Sequence, residues 1–318
     1  MSRLPVPRSA TRAANKLAEI LQESVDLLDD AELLELEGEA LAEPEPSLVQ
    51  QCVELAEAGA MAEDEPIRTL HHFACTGGTV ISKCVAAMPN VQLLSELDPL
   101  SPMASAPGAF APTDMSMLLK HSTRPPPKET LLELFRAQLD VAYRSTLSQG
   151  GYLVVRDHTH SHFCTGSAVP ERPSVRELVA MVAPVSSLVT VRNPIDSFVS
   201  LRLNKWVKFE PATFDEYCSR YLAFLDRYEG VPIMRYEDFI QDPKREMQEA
   251  CRHLQLPYFD EFASVFSVFR VSGDSGRHFA VLSSPPPRPE RDHLLKEAIA
   301  SSCYRRLADR LGYPVEGA

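Results

Sequence analysis

The sequence lacks several features that would place it in a specialised class of protein. No stretch of the 318 residues approaches the ~18 apolar residues that a membrane-spanning helix needs. The seven cysteines are scattered, odd in number and without a CxxC pair, which argues against a disulfide framework and a structural zinc site. Acidic side chains interrupt the first helical pattern, so we expect no signal peptide. These absences favour a reducing, cytoplasmic setting.

Positive charge is also scarce. The chain has 32 Lys and Arg residues against 44 Asp and Glu residues, which gives a formal net charge of -12. We therefore expect neither nucleic acid nor an anionic membrane as a general partner. An anionic cofactor is still compatible with this balance, because a few local arginines can outweigh a distant acidic surface.

The N-terminal segment, residues 1–66, reads differently from the rest of the chain. After a basic start that looks disordered, residues 11–41 have helical spacing and residues 29–45 are densely acidic. We interpret the segment as a helical extension that packs on the main domain or on a sister chain, so a homodimer is left open. Residues 67–318 are expected to form one α/β domain.

A glycine turn follows the first predicted strand of that domain. A strand at 70–74 leads into the turn 75–79, and a helix is expected over 80–88. Two glycines let backbone N–H groups converge on one point, and the helix N-terminus adds positive potential there. The pattern therefore indicates a phosphate-binding loop, with an ordinary tight turn as the alternative. Its residues are Cys75, Thr76, Gly77, Gly78 and Thr79, of which the two threonines are expected to add hydroxyl donors.

Polar side chains follow two further strands, where ligands collect in open α/β sheets. The strand at 91–94 leads to Glu96, and the strand at 152–155 leads to Arg156 and His158. Three histidines alternate in this last segment, but in an extended chain they are widely spaced and lack a fourth ligand, so we expect no metal. A histidine near its ordinary pKa of ~6.5 suits a general base instead, with exposed loop histidines as the alternative.

A second anion site is predicted at the end of the strand 186–191. Arg192 ends the strand, and Ser200 lies about two helical turns further along. Both can face one phosphate, with the guanidinium as a fork of donors; an N-capping network is the alternative. The glycine-broken loop 272–277 would bring Gly276 and Arg277 onto an anion, or else form a flexible surface loop. The proline-rich segment 101–128 is interpreted as a lid or specificity segment.

In this order, the motifs resemble the cytosolic-type sulfotransferases, which use 3'-phosphoadenosine 5'-phosphosulfate (PAPS). The resemblance covers about residues 67–315. It implies a P-loop-type three-layer α/β sandwich with a central, mostly parallel sheet. It also implies in-line transfer of a sulfuryl group to a hydroxyl or amine of a small-molecule or carbohydrate acceptor.

The resemblance also assigns roles to single residues. The turn 75–79 would hold the 5'-phosphosulfate, and Arg156 and His158 match a basic residue and a histidine two positions apart. His158 is the first choice for the base and Glu96 the second. Around the rest of the nucleotide, the resemblance implies contacts from Arg192 and Ser200 to the 3'-phosphate, from Tyr236 to the adenine, and from Gly276 and Arg277 to the 3'-phosphate again.

One departure from the family pattern keeps other functions open. The first residue of the turn is often basic in the family, but here it is Cys75, and Arg156 or Lys83 would have to substitute. A nucleotide-binding relative that kept the fold and lost activity is therefore one alternative. A P-loop kinase is another, although it needs GxxxxGK[ST], and here Thr79 follows Gly78.

Overall fold

The computed structural model describes residues 65–103, 114–272, 282–283 and 288–315. The predicted extension 1–66 therefore lies almost wholly outside the described residues, as does the loop that carries Gly276 and Arg277. Among the residues described, no helix is long and apolar enough to cross a membrane.

The centre of the domain is a parallel sheet. In chain order the described strands are β1 (Ile67–His72), β2 (Val91–Leu97), β3 (Tyr152–Asp157), β4 (Thr165–Gly166), β5 (Val185–Val191), β6 (Lys208–Phe209) and β7 (Ile233–Arg235). Five of them form one sheet in the order β2-β3-β1-β5-β7, with every pairing parallel. The short strands β4 and β6 form a separate parallel pair.

Helices connect these strands. In chain order they are α1 (Gly78–Ala86), α2 (Met115–Lys120), α3 (Lys128–Leu147), α4 (Thr159–Phe163), α5 (Val175–Val179), α6 (Pro194–Leu203), α7 (Phe214–Arg227), α8 (Tyr236–Gln241), α9 (Pro243–Leu254), α10 (Phe262–Val265), α11 (Glu290–Ala300) and α12 (Ser302–Leu311). A single 3₁₀ turn, Phe266–Val268, follows α10.

Alternate residues of β3 bury into different layers. Val154 packs in a core with α1 and α9, whereas Leu153 and Val155 pack in another with α3 and α5. Successive side chains of a strand point to opposite faces of the sheet, so both sets are buried when helices cover both faces. The predicted three-layer α/β sandwich is thereby confirmed.

The topology opens a crevice between β1 and β3. The connection after β1 runs through α1 to β2 on one side, whereas the connection after β3 returns to β5 on the other. Loops that leave neighbouring parallel strands in opposite directions leave room for a ligand at the carboxyl edge. The glycine turn and the segment around His158 both lie at this edge.

The histidine-rich segment is not extended as the sequence analysis assumed. β3 continues to Asp157, which pairs with Leu97 of β2 across a register shift. The chain then turns at His158 and begins the short helix α4 at Thr159. Ladder pairing has therefore carried the strand two residues beyond its apolar run.

Two other elements differ from the sequence prediction for local reasons. The segment 101–128 contains α2, whose N-terminus is capped by the Asp114 carboxylate accepting from the Met117 N–H at 3.0 Å. The sequence predicts one terminal helix over 292–311, whereas the structure has two helices there, α11 and α12. Ser301 divides them, because its hydroxyl caps α12 by accepting from the Tyr304 N–H at 2.9 Å.

Candidate active site

The glycine turn packs so closely that two of its positions exclude a side chain. Gly77 has a φ of 88°, and a Cβ atom there would lie 2.2 Å from Cδ2 of Tyr236. A Cβ atom on Gly78 would lie 2.3 Å from Cγ of His72. Cys75 has a φ of 65°, in the left-handed region that L-residues other than glycine rarely adopt. The turn is therefore held in a strained, close-packed form, as in loops that bring backbone against a ligand.

The turn presents backbone donors to the crevice. α1 has no side-chain cap and no acidic residue in its first turn. Within the described residues, no acceptor takes the N–H groups of Gly77, Gly78 and Thr79. Free N–H groups at a helix N-terminus attract anions, because the helix dipole adds positive potential there.

The two threonines of the turn behave differently. The Thr76 hydroxyl donates to the Phe73 carbonyl at 2.8 Å, so the hydroxyl donor expected at this position is already used within the turn. Oγ1 of Thr79 instead accepts from Nη2 of Arg156 at 3.2 Å, which leaves its own proton for a ligand. Only Thr79 therefore fits the predicted role of hydroxyl donor.

Arg156 supplies the positive charge beside the turn. Its side chain is 3% exposed. Nη1 donates to Oγ of Ser95 at 2.9 Å, and Nη2 is paired with the Glu96 carboxylate. Lys83, the other candidate cation, is buried in α1 and does not line the crevice. Arg156 is therefore the cation that lies beside the turn, where Cys75 has no charged side chain.

His72 accepts hydrogen bonds from this guanidinium. Nε2 of His72 lies 3.4 Å from Nε and 3.3 Å from Nη2 of Arg156. Burial, reinforced by the positive charge of Arg156, lowers the pKa of His72 well below its ordinary range. The ring is consequently neutral and holds Arg156 in place as an acceptor.

Glu96 joins Arg156 to His158. Its backbone has a φ of 60°, and one carboxylate oxygen lies 3.2 Å from Nε2 of His158 while the other binds Arg156. The His158 side chain is 25% exposed. If Nε2 carries the proton toward Glu96, Nδ1 is left as the basic nitrogen. The two candidate bases of the sequence analysis thus form one histidine–carboxylate pair.

Arg192 is a second cation that lines the crevice. The Arg192 guanidinium lies over the Tyr236 ring, 4.9 Å from its centroid. Asn193 caps α6 by accepting from the Ile195 N–H at 2.9 Å. The helix so begun brings the buried Ser200 to the same cavity as Arg192. Both halves of the predicted second anion site therefore meet.

An aromatic helix supports both parts of the site. The Tyr217 hydroxyl of α7 donates to the Ala74 carbonyl at 3.1 Å, just before the glycine turn. The backbone N–H of Arg192 donates to the Tyr221 hydroxyl, also at 3.1 Å. Phe73 stacks on Tyr221, with ring centroids 4.4 Å apart. The buried face of α7 thus fixes the distance between the turn and Arg192.

One cavity of about 280 Å³ collects these groups. It is lined by all eleven described residues that the sequence analysis selected: Cys75, Thr76, Gly77, Gly78, Thr79, Glu96, Arg156, His158, Arg192, Ser200 and Tyr236.

Other lining residues were missed by sequence reasoning, namely His72, Met103, Thr159, His160, Trp206 and Lys208. The position of His72 at the carboxyl end of β1 was a usable signal. Lys208 belongs to no motif and reaches the cavity only because β6 pairs with β4.

The alternating histidines do not act as a group. His162 lies 3.3 Å from the Pro170 carbonyl and stacks on Phe163, whereas His158 and His160 line the cavity. Across the described ranges, no three His, Cys, Asp or Glu side chains are arranged to hold a metal ion.

Comparison with known proteins finds likeness only among solved structures. Neither a family model nor a curated protein matches the sequence. One similar structure is the sulfotransferase domain from the curacin biosynthetic pathway, with a TM-score of 0.48 and 18% sequence identity. The alignment covers 79% of this chain and 99% of the curacin domain. The sulfotransferase domain of the Synechococcus olefin synthase also has a TM-score of 0.48, at 16% identity, over 79% of this chain and 96% of its own.

A mouse sulfotransferase, SULT7A1 complexed with PAP, is similar at a TM-score of 0.35 and 12% identity. That likeness covers 81% of this chain and 94% of the mouse protein. Because these identities are low, we base the function on the cavity itself.

Replacing Gly77 by alanine is expected to destabilise the domain more than the same change at Gly230. Both glycines have a positive φ, 88° and 76°, and each should cost about 1–2 kcal/mol of unfolding free energy in strain. Only Gly77 adds a clash with Tyr236, worth a further ~1–3 kcal/mol, because a Cβ at Gly230 meets no atom within 4 Å. Urea unfolding measures the difference. Equal losses for G77A and G230A would show that the turn is not close-packed.

Proposed function

We propose that this chain transfers a sulfuryl group from PAPS to a hydroxyl or amine of an acceptor. The observation that carries the proposal is that a single cavity is lined by two sets of anion-binding groups. The glycine turn with Arg156 is one set, and Arg192 with Ser200 is the other. This arrangement fits a nucleotide that bears a negative group on both its 5' and 3' sides.

The set at the glycine turn would hold the phosphosulfate. The N–H groups of Gly77, Gly78 and Thr79 lack acceptors among the described residues, and Arg156 is fixed beside them. The donor supplies an activated sulfuryl group whose departure leaves negative charge on a phosphate. Preorganised donors that stabilise such charge are typically worth ~3–4 kcal/mol each. Cys75 would contribute only its backbone.

The set with Arg192 would hold the rest of the nucleotide. The Arg192 guanidinium provides several N–H donors, and its stacking on Tyr236 fixes their direction. The Ser200 hydroxyl is buried in the same wall. The Tyr236 ring also packs against Gly77, so it links the two sets and offers an aromatic surface to a base.

His158 is the proposed base. In this assignment Nε2 donates to Glu96, Nδ1 takes the acceptor's proton, and the carboxylate stabilises the imidazolium that forms. Glu96 therefore acts as the positioning partner of His158. Since Arg156 neutralises the same carboxylate, Glu96 is a weaker candidate for the base itself.

A non-catalytic relative is the remaining alternative, and Cys75 is the feature that favours it. The nearness of Arg156 to Thr79 answers this objection, because it places a guanidinium at the turn without a basic residue in it. For the acceptor we propose a small molecule or carbohydrate. We also propose a reducing, cytoplasmic setting, in which the six described cysteines, none of them in a disulfide, would stay reduced.

The nucleotide assignment predicts selective stabilisation by PAP, the desulfated donor product. PAP should raise the Tm more than magnesium–ATP does, because the site has a 3'-phosphate end and no P-loop lysine after Gly78. Arg192→Met should weaken PAP binding by about tenfold or more, since charge-assisted hydrogen bonds are worth about 1.5–3 kcal/mol. Calorimetric titration measures this loss.

Arg202→Met is the matched control for that variant. Arg202 lies on α6 and also faces an aromatic ring, that of Phe198 at 5.9 Å, but it is exposed and outside the cavity. It should bind PAP as the wild type does. Stronger stabilisation by magnesium–ATP than by PAP would overturn the assignment in favour of a kinase.

The assignment of His158 as the base predicts that its loss changes the rate of sulfate transfer but not the affinity for PAP. His158→Ala should lower sulfate transfer by about 10²–10⁴-fold and leave PAP affinity unchanged. Glu96→Gln should lower the rate less, because it leaves the base in place and removes only the carboxylate that orients the imidazole and stabilises the imidazolium. Transfer of label from labelled PAPS to a panel of acceptors measures both rates. Full activity in both variants would mean that neither residue serves as the base or orients it.

A further inference from the structure

The cavity has a third wall that the proposed donor does not use. His160, at the start of α4, forms one part of this wall. Trp206, just before β6, and Lys208, the first residue of β6, form the other part. The pairing of β4 with β6 brings these two segments together, with Thr165 aligned to Lys208. His158, the proposed base, lies next to this wall, since its ring centroid is 6.1 Å from that of His160.

His160 presents an unused acceptor in this wall. Its Nε2 atom is shielded from solvent and has no hydrogen-bond partner in the part of the chain that the structure describes. The backbone of Trp206 lies against the same ring. Burial lowers the pKa of His160 to about 4, so the ring is neutral and Nε2 offers a lone pair at physiological pH. A buried acceptor without a partner is costly unless a ligand satisfies it.

Lys208 presents an unused positive charge beside it. Lys208 is exposed and lines the same cavity as His160. No carboxylate of the described residues pairs with Lys208. Glu96 is the carboxylate among the described lining residues of the cavity, and it is already bound to Arg156 and His158. The wall therefore has a cation without a counter-ion.

Trp206 gives the wall a flat apolar surface. Its side chain is half-buried and lines the cavity. An indole of this kind contacts the carbon framework of a ligand whose polar groups bind to its neighbours.

We propose that this wall selects an anionic acceptor with more than one hydroxyl or N–H group: Lys208 pairs with its negative charge, and His160 Nε2 accepts a hydrogen bond from a donor other than the one that reacts. This inference rests on the proposed function, because it takes the remainder of the cavity to be filled by the nucleotide. The anionic group is a carboxylate or a phosphate, both of which pair with an ammonium.

The single tryptophan of the chain allows a direct test. The full chain is saturated with PAP, and the fluorescence of Trp206 is followed while glucose, glucuronate or glucose 6-phosphate is added. The three probes share a sugar ring and differ in the group at one carbon. We expect either anionic probe to bind about tenfold more tightly than glucose, as one charge-assisted contact allows. Which anion binds more tightly identifies the group that the wall prefers.

Variants assign the preference to the two side chains. Lys208→Gln should remove the preference for anions over glucose, whereas Lys205→Gln, an exposed lysine outside the cavity lining, should keep it. His160→Phe should weaken all three probes, and His160→Gln should restore part of the affinity, because its amide oxygen is again an acceptor.

Equal binding of glucose and both anions would overturn the inference while leaving the proposed function intact. Retention of the preference in Lys208→Gln would overturn it as well. If Lys208→Gln weakens PAP binding instead, Lys208 belongs to the donor end and the inference is wrong. Failure of PAP to bind the wild type would contradict the proposed function itself.

Discussion

The site depends on one buried guanidinium. Arg156 contacts the glycine turn through Thr79, the neighbouring strand β2 through Ser95 and Glu96, and β1 through His72. Its charge is taken out of water, which is tolerated because every contact is a hydrogen bond and one is an ion pair. The same contacts fix the direction in which the charge acts. Arg156 is therefore at once the structural link between the glycine turn and two strands and the cation available to a ligand.

The local electrostatics run against the charge of the whole chain. A protein with a formal net charge of -12 has a cavity with Arg156, Arg192, Lys208 and the open N-terminus of α1. The acidic surface would repel polyanions at long range, but screening limits that repulsion to about 10 Å at ordinary ionic strength. Within the cavity, a small anionic ligand meets mainly donors. Recognition by local charge is consistent with the proposed nucleotide cofactor.

The sequence was informative about the candidate site wherever the site is formed by residues that follow one another along the chain. A strand followed by glycines, or by an arginine and a histidine, predicts a site because parallel strands bring their carboxyl ends together. The sequence was less informative about the direction in which each side chain points. Thr76 and Thr79 are equivalent in the sequence, yet the hydroxyl of Thr76 turns back to the Phe73 carbonyl. Arg156 and Lys83 were both candidates for the missing cation, and only the packing of α1 shows that Lys83 is buried.

The third wall was beyond sequence reasoning for a different reason. Lys208 comes to the same cavity as His160 through a sheet of two residues per strand, and so short a pairing has no periodic signal. Likewise, the helical start of α4 was hidden because residues 156–162 are rich in polar side chains that suit loops. Contacts between segments 40 or more residues apart decide both features.

The most direct measurement is a crystal structure of the chain with PAP. The account predicts the 5'-phosphate on the N–H groups of Gly77, Gly78 and Thr79 and beside Arg156, with the 3'-phosphate on Arg192 and Ser200. The third wall with His160 and Lys208 should remain open to an acceptor. A nucleotide bound elsewhere, or one whose 3'-phosphate lies at the glycine turn, would contradict it.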